Sequence, residues 1–155
     1  GVLWFYQALG LQKIVHKSGL LNILPENLRT FEKVMPKITS PVSRSRRATT
    51  FSPPQAVPKL KIGFFTGCIM DAVFERINRL SMELLALAGC EVYVIQEQTC
   101  CGALHAHTGR EEDTIRLAKQ NIASFGQLEV DYIVNNAGGC GALLKEYQHL
   151  LHYDV

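Results

Sequence analysis

Apolar positions divide this chain into two textures. Over residues 2–24, Val2, Phe5, Tyr6, Leu9, Leu20, Leu21 and Leu24 recur at roughly helical spacing, with a break near Ser18-Gly19. Pro25 stops the pattern, and Asn27 to Val34 reads as one or two further helical turns. From Lys59 short apolar runs alternate with helical periodicity. Leu60 to Phe65, Glu91 to Gln96 and Asp131 to Asn135 read as strands. Val73, Ile77, Leu80, Leu84 and Leu87 predict one helix face, with Asp71 as N-cap and Gly89 as the stop. Ile115, Ala118, Ile122 and Phe125 predict a second, entered through a Thr108/Glu111 capping box and ended by Gly126. Leu143, Leu144, Tyr147, Leu150 and Leu151 predict a third, after a loop at Ala137 to Gly141.

Strands separated by single helices imply an α/β fold, a small parallel sheet with flanking helices, here preceded by a helical N-terminal arm. The expected organisation is a helical connecting segment at 1–35, a Pro/Ser/Arg-rich linker at 36–58 and an α/β domain at 59–155. The linker reading rests on the prolines, serines and threonines between Pro36 and Pro58 and on the few large apolar residues there. Gly1 rather than Met opens the chain, and Val155 closely follows a helix pattern, so the chain reads as a piece of a longer protein. It shows no signal-peptide pattern.

Charge sharpens the division. Residues 1–62 sum to +8 and residues 63–155 to −6, within a net charge of +2. A basic arm thus joins an acidic domain, and the basic residues Arg44, Arg46 and Arg47 lack the interleaved aromatics of a nucleic-acid surface, so no nucleic-acid partner is expected. With 47% hydrophobic and 19% charged residues the chain is not a disordered one. Its apolar runs fall short of the roughly 20 residues of a membrane helix.

The chemistry lies in the cysteines: Cys68, Cys90, Cys100, Cys101 and Cys140. An odd number without a secretory signal argues against a disulfide framework. In a parallel sheet every strand-to-helix loop leaves from the same carboxyl edge. Cys68, Cys100 with Cys101, and Cys140 occupy three such loops, although 31 residues separate Cys68 from Cys100 and 38 separate Cys101 from Cys140. Cys90 follows Gly89 at the opposite edge. Four thiolates at one edge suit a cubane iron–sulfur cluster, one per iron. Zinc is the main alternative, but structural zinc sites use C-x₂₋₄-C pairs, and adjacent cysteines suit a multi-iron core better than one tetrahedral ion. Cys68 and Cys140 are expected at helix N-termini, where the dipole favours thiolate. Gly67, Gly102, Gly138, Gly139 and Gly141 are expected to take positive φ and bring backbone amides close to sulfur. His105 and His107 are candidates for ligation, for proton coupling or for supporting hydrogen bonds. The loop at Gly138 lacks G-x-G-x-x-G after its strand, against a dinucleotide site.

Cys68, the 31-residue gap, Cys100-Cys101-Gly102 and the Gly/Cys turn at Cys140 resemble the cysteine-rich CCG domain of heterodisulfide reductase subunits and of glycolate, lactate and anaerobic glycerol-3-phosphate dehydrogenase subunits. That family's pattern ends in C-x-x-C; here Ala137 replaces the penultimate cysteine, which favours a four-cysteine site over a five-cysteine non-cubane cluster. The strings GCIMDAVF from Gly67, CCGALHAH from Cys100 and NNAGGCGALLKEY from Asn135 resemble the glycolate oxidase iron–sulfur subunit family. So does FYQALGLQKIVHKSGLL from Phe5. The resemblance implies an electron-transfer subunit without catalytic residues of its own. Cys68, Cys100, Cys101 and Cys140 would hold a [4Fe–4S] cluster, supported by Gly67, Gly102, His105, His107 and Gly139, with no flavin on this chain. The implied partners are an FAD-binding subunit that oxidises glycolate to glyoxylate, other subunits of the same complex, and a quinone or membrane acceptor side. The implied location is the cytoplasm or the inner membrane face. A lactate- or glycerol-3-phosphate-linked relative and a structural zinc or interaction domain stand as alternatives.

Overall fold

The computed structural model describes residues 2–152, which fall into two compact units divided between Arg46 and Arg47.

The first unit is helical in pieces. Helices α1 (Val2–Ala8) and α2 (Leu11–Lys17) are separated by Gly10 at φ 70, and a 3₁₀ turn (Leu20–Ile23) follows Gly19 at φ 74. Both glycines take a left-handed conformation that would strain any residue carrying a Cβ. Helices α3 (Glu26–Val34) and α4 (Pro41–Ser45) complete the unit. Polar links organise it. The Tyr6 hydroxyl donates to Glu32 at 2.9 Å, His16 pairs with the same carboxylate, and the Arg29 guanidinium reaches the carbonyls of Leu21, Asn22 and Leu24.

The second unit is the α/β domain. Its sheet runs β1 (Thr50–Phe51), β3 (Cys90–Val94), β2 (Leu60–Phe64), β4 (Tyr132–Val134). Strand β2 pairs in parallel with both β3 and β4, as the alternating pattern implies. Strand β1 is an addition. It lies in the stretch read as linker, and Thr50 and Phe51 pair antiparallel with Tyr93 and Val92, so the sheet is mixed. Between the strands stand α5 (Cys68–Val73), α6 (Glu75–Leu87), α7 (Ala103–His107), α8 (Glu111–Phe125) and α9 (Gly138–His152).

Strand alternation sorts the core into two layers. Ile62, Phe64, Val92 and Val94 join Met82 and Leu85 of α6 on one face. Phe65, Ile95 and Cys101 meet Phe125 of α8 and Leu144 of α9 on the other. Gly63 points into that second layer, where a Cβ would come within 2.8 Å of Ile133 Cδ1.

The α6 face differs from the expected one. Its buried residues are Asn78, Met82 and Ala86, whereas Leu84 and Leu87 are 66% and 70% exposed. Asn78 wins a buried place because its amide is satisfied, donating to the Thr66 carbonyl at 2.9 Å and accepting from Asn136 at 3.0 Å. Two caps are also corrected. Asp71 lies inside α5 and pairs with Arg47 instead of capping a helix. Thr108 closes α7, its hydroxyl donating to the Leu104 carbonyl at 2.8 Å, and α8 starts independently at Glu111.

Candidate metal centre

Each cysteine loop leaves the carboxyl end of a parallel strand. Beyond β2, Thr66 and Gly67 lead into α5, which begins at Cys68. Beyond β3, Cys100 and Cys101 precede Gly102 and α7. Beyond β4, α9 begins at Gly138 and holds Cys140 in its first turn. The structure thus brings together the four thiols expected to converge. Cys68 Sγ lies 3.7 Å from Cys100 Sγ, and Cys101 Sγ lies 3.1 Å from Cys140 Sγ. Cys90 is buried in the first core layer, paired with Leu60 at the other end of the sheet.

Side-chain amides hold the three loops to one another. Gln98 accepts from the Thr66 backbone N–H at 2.7 Å, joining the first and second loops. Asn78 links the first to the third through Thr66 and Asn136. Asn121, fully buried on α8, accepts from the Thr99 N–H at 2.8 Å and donates to the Cys100 carbonyl at 3.1 Å and to the Tyr147 hydroxyl oxygen at 2.9 Å. The Tyr147 hydroxyl in turn donates to the Cys101 carbonyl at 2.8 Å. Sequence periodicity misses Asn78, Gln98, Asn121 and Asn136, because a polar residue on a helix or in a loop reads as solvated until its partners are known.

The glycines divide. Gly67 and Gly102 have φ of 69 and 91, as expected. At Gly67 a Cβ would touch Cys140 Sγ at 3.7 Å, an ordinary van der Waals contact, so it is the positive φ that calls for glycine there. The Gly102 N–H donates to Cys100 Sγ at 3.5 Å. Gly138, Gly139 and Gly141 do not take positive φ, because α9 starts at Gly138, four residues earlier than the loop reading allowed, and places them in its first turn. His107 is exposed on α7, while the Nδ1 of His105 is buried without a hydrogen-bond partner.

The thiol electrostatics run opposite to the helix-dipole expectation. Burial pushes the Cys68 thiol up, and Cys100 adds to the rise. Burial, then the Cys101 hydrogen bond and charge, push Cys140 up to about 12. Desolvation and the neighbouring sulfurs, three around Cys140 and two around Cys68, outweigh the dipole of two helix starts. Crowded thiols of this kind become thiolates only against cationic charge, which is what metal ligation supplies. The donor set is all sulfur, which selects iron–sulfur or zinc chemistry over magnesium or calcium. Among the described residues no three His, Cys, Asp or Glu side chains are arranged to hold a single ion. The sulfurs stand as two couples instead, 3.7 and 3.1 Å apart.

The comparisons agree with the motifs. The cysteine-rich domain family model matches residues 62–145, and the linker-region model of the glycolate oxidase iron–sulfur subunit matches residues 1–35. The chain is 48% identical over 96% of its length to a probable glycolate oxidase iron-sulfur subunit of Bacillus subtilis, covering 33% of that protein. It is 37% identical over 60% of its length to lactate utilization protein A of an Exiguobacterium species, covering 38% of it. An iron-sulfur protein of Methanocaldococcus jannaschii is 29% identical over 80% of this chain, which covers 24% of it. The chain therefore spans about a third of the length of the first two relatives. No solved structure matches it significantly. No described helix is long and apolar enough to cross a membrane. With its two cysteine couples inside the matched region 62–145, the chain belongs to the cysteine-rich CCG domain family.

Proposed function

We propose that this chain is part of the iron–sulfur subunit of a glycolate oxidase-type complex. In this reading Cys68, Cys100, Cys101 and Cys140 hold a [4Fe–4S] cluster. The observation that carries it is the meeting of four thiols from three loops at the carboxyl edge of the sheet, as couples 3.7 and 3.1 Å apart. When bound, such a cluster takes up and releases one electron at a time. The chain's own work is to fix the four sulfurs, to direct the Gly102 N–H at Cys100 Sγ, and to cover the Cys101 side with Phe65 and Ile95. Electrons would come from an FAD-binding partner subunit that oxidises glycolate to glyoxylate, and pass to a quinone-type acceptor. The 48% identity to the Bacillus subtilis protein supports glycolate. Identities of 37% and 34% to two lactate utilization proteins favour lactate as the second reading.

Anaerobically prepared protein tests the ligand set. Cys140→Ala should lose most of the bound iron and the visible absorbance, and Cys90→Ala should keep both. Full iron in Cys140→Ala sinks the assignment. Reduction of a dye by the assembled complex with glycolate or lactate decides the substrate.

A further inference from the structure

Two neighbouring cysteines must serve opposite couples: Cys100 turns to Cys68 and Cys101 to Cys140. Consecutive side chains can do this only if the peptides joining them are fixed. We propose that Tyr147 and Asn121 are positioning residues that set the Cys100–Cys101–Gly102 backbone, so that the Gly102 amide stays aimed at the Cys100 sulfur and tunes the cluster. This rests on the cluster reading above.

The geometry is specific. The Cys101 carbonyl and the Gly102 N–H belong to one planar peptide and point in opposite directions. The Tyr147 hydroxyl holds the carbonyl end at 2.8 Å, and the N–H end lies 3.5 Å from Cys100 Sγ. The preceding peptide is held by Asn121, which donates to the Cys100 carbonyl at 3.1 Å. Asn121 also donates to the Tyr147 oxygen at 2.9 Å, which leaves the phenol proton for Cys101. Both side chains are buried, Asn121 at 0% and Tyr147 at 4% exposure, so water does not compete for these bonds. The left-handed φ of 91 at Gly102 completes the turn, and a Cβ there would come within 3.4 Å of Thr114 Cγ2.

An N–H donated to a ligand sulfur stabilises the more negative, reduced state and raises the reduction potential. In the cluster-loaded protein, Tyr147→Phe should therefore retain the parent's iron content while its midpoint potential falls. Asn121→Ala should shift it in the same direction. Ser124→Ala is the reference for a purely structural loss. Its hydroxyl is on the same helix but donates to the Glu97 and Gln120 carbonyls, so its melting should drop while the potential stays at the parent value. Resonance Raman in heavy water gives a reading that needs no variant: Fe–S stretching bands of the parent should shift on exchange, and Tyr147→Phe should reduce that shift. An unshifted potential in Tyr147→Phe at full iron content, or a parent without deuterium sensitivity, overturns the positioning role. A parent that binds no iron overturns the cluster reading and this role with it.

Discussion

Residues 2–46 bury two side chains, Leu21 and Glu32, whereas residues 47–152 bury Ile62, Phe64, Phe65, Met82, Val92, Val94 and Ile95 among others. In the first unit the organising centre is a carboxylate that takes bonds from Tyr6 and His16, and apolar side chains such as Val2, Leu9 and Ile23 are 84%, 68% and 80% exposed. In the second, two apolar layers are buried, although Leu84 and Leu87 stay outside, and the buried polar side chains tie the cysteine loops together. The contrast teaches that equal hydrophobicity along a sequence does not mean equal cores. The domain buries an apolar core of its own, whereas the arm is held by polar links and leaves much of its apolar surface exposed.

Core truncation tests that contrast most severely. Phe64→Ala, at a position with no exposure, should cost about 3–5 kcal/mol in urea unfolding, while Phe5→Ala, 57% exposed, should stay within about 0.5 kcal/mol. Equal losses would erase the difference between the units. The same comparison can be made within one helix. Met82→Ala should cost about 2–5 kcal/mol, and Leu84→Ala on the other side of α6 should stay within about 0.5 kcal/mol. The reverse result would restore the face drawn from periodicity.

That face shows what the sequence does and does not disclose. The three parallel strands and the shared edge of Cys68, Cys100, Cys101 and Cys140 follow from alternating runs and loop positions, because backbone topology needs only element order. Strand β1 escapes, since two residues between serines and prolines carry no period. The α6 face escapes because Ile77, Leu80, Leu84 and Leu87 are as apolar as the residues that are buried, and the decision falls to Asn78, whose partners lie 12 and 58 residues away. Capping motifs at Asp71 and Thr108 mislead for a related reason. Short polar side chains find other partners, Arg47 in tertiary contact for Asp71 and the Leu104 carbonyl of the preceding helical turn for Thr108.

Smaller effects sharpen the polar side of the comparison. Glu32→Ala should loosen the arm by about 1–2 kcal/mol, read as roughly tenfold faster amide exchange over residues 2–24 with no change in the domain. The domain's own polar centre answers to alkali. Burial raises the Tyr147 phenol to about 12, against the lowering effect of Asn121. The folded value lies above the ordinary 10.0, so the contribution is intact below pH 10 and is lost as pH rises towards 12. Tyr147→Phe should remove about 1–2 kcal/mol of that alkaline loss of stability. A parent and variant with the same alkaline slope would remove Tyr147 from the titration.

Strand β2 stands between β3 and β4, and its pairings join residues 30 and 70 apart, Ile62 with Val92 and with Tyr132. The central strand is thus the first of the three parallel strands to be made and the last to be completed. Neither thiol couple can close on local contacts alone, since Cys68 must await the β3 loop and Cys101 must await α9. Closing such loops costs entropy before any ligand bond repays it. Each couple therefore depends on strand pairing far from it in sequence: only the assembled sheet brings its two loops to one edge.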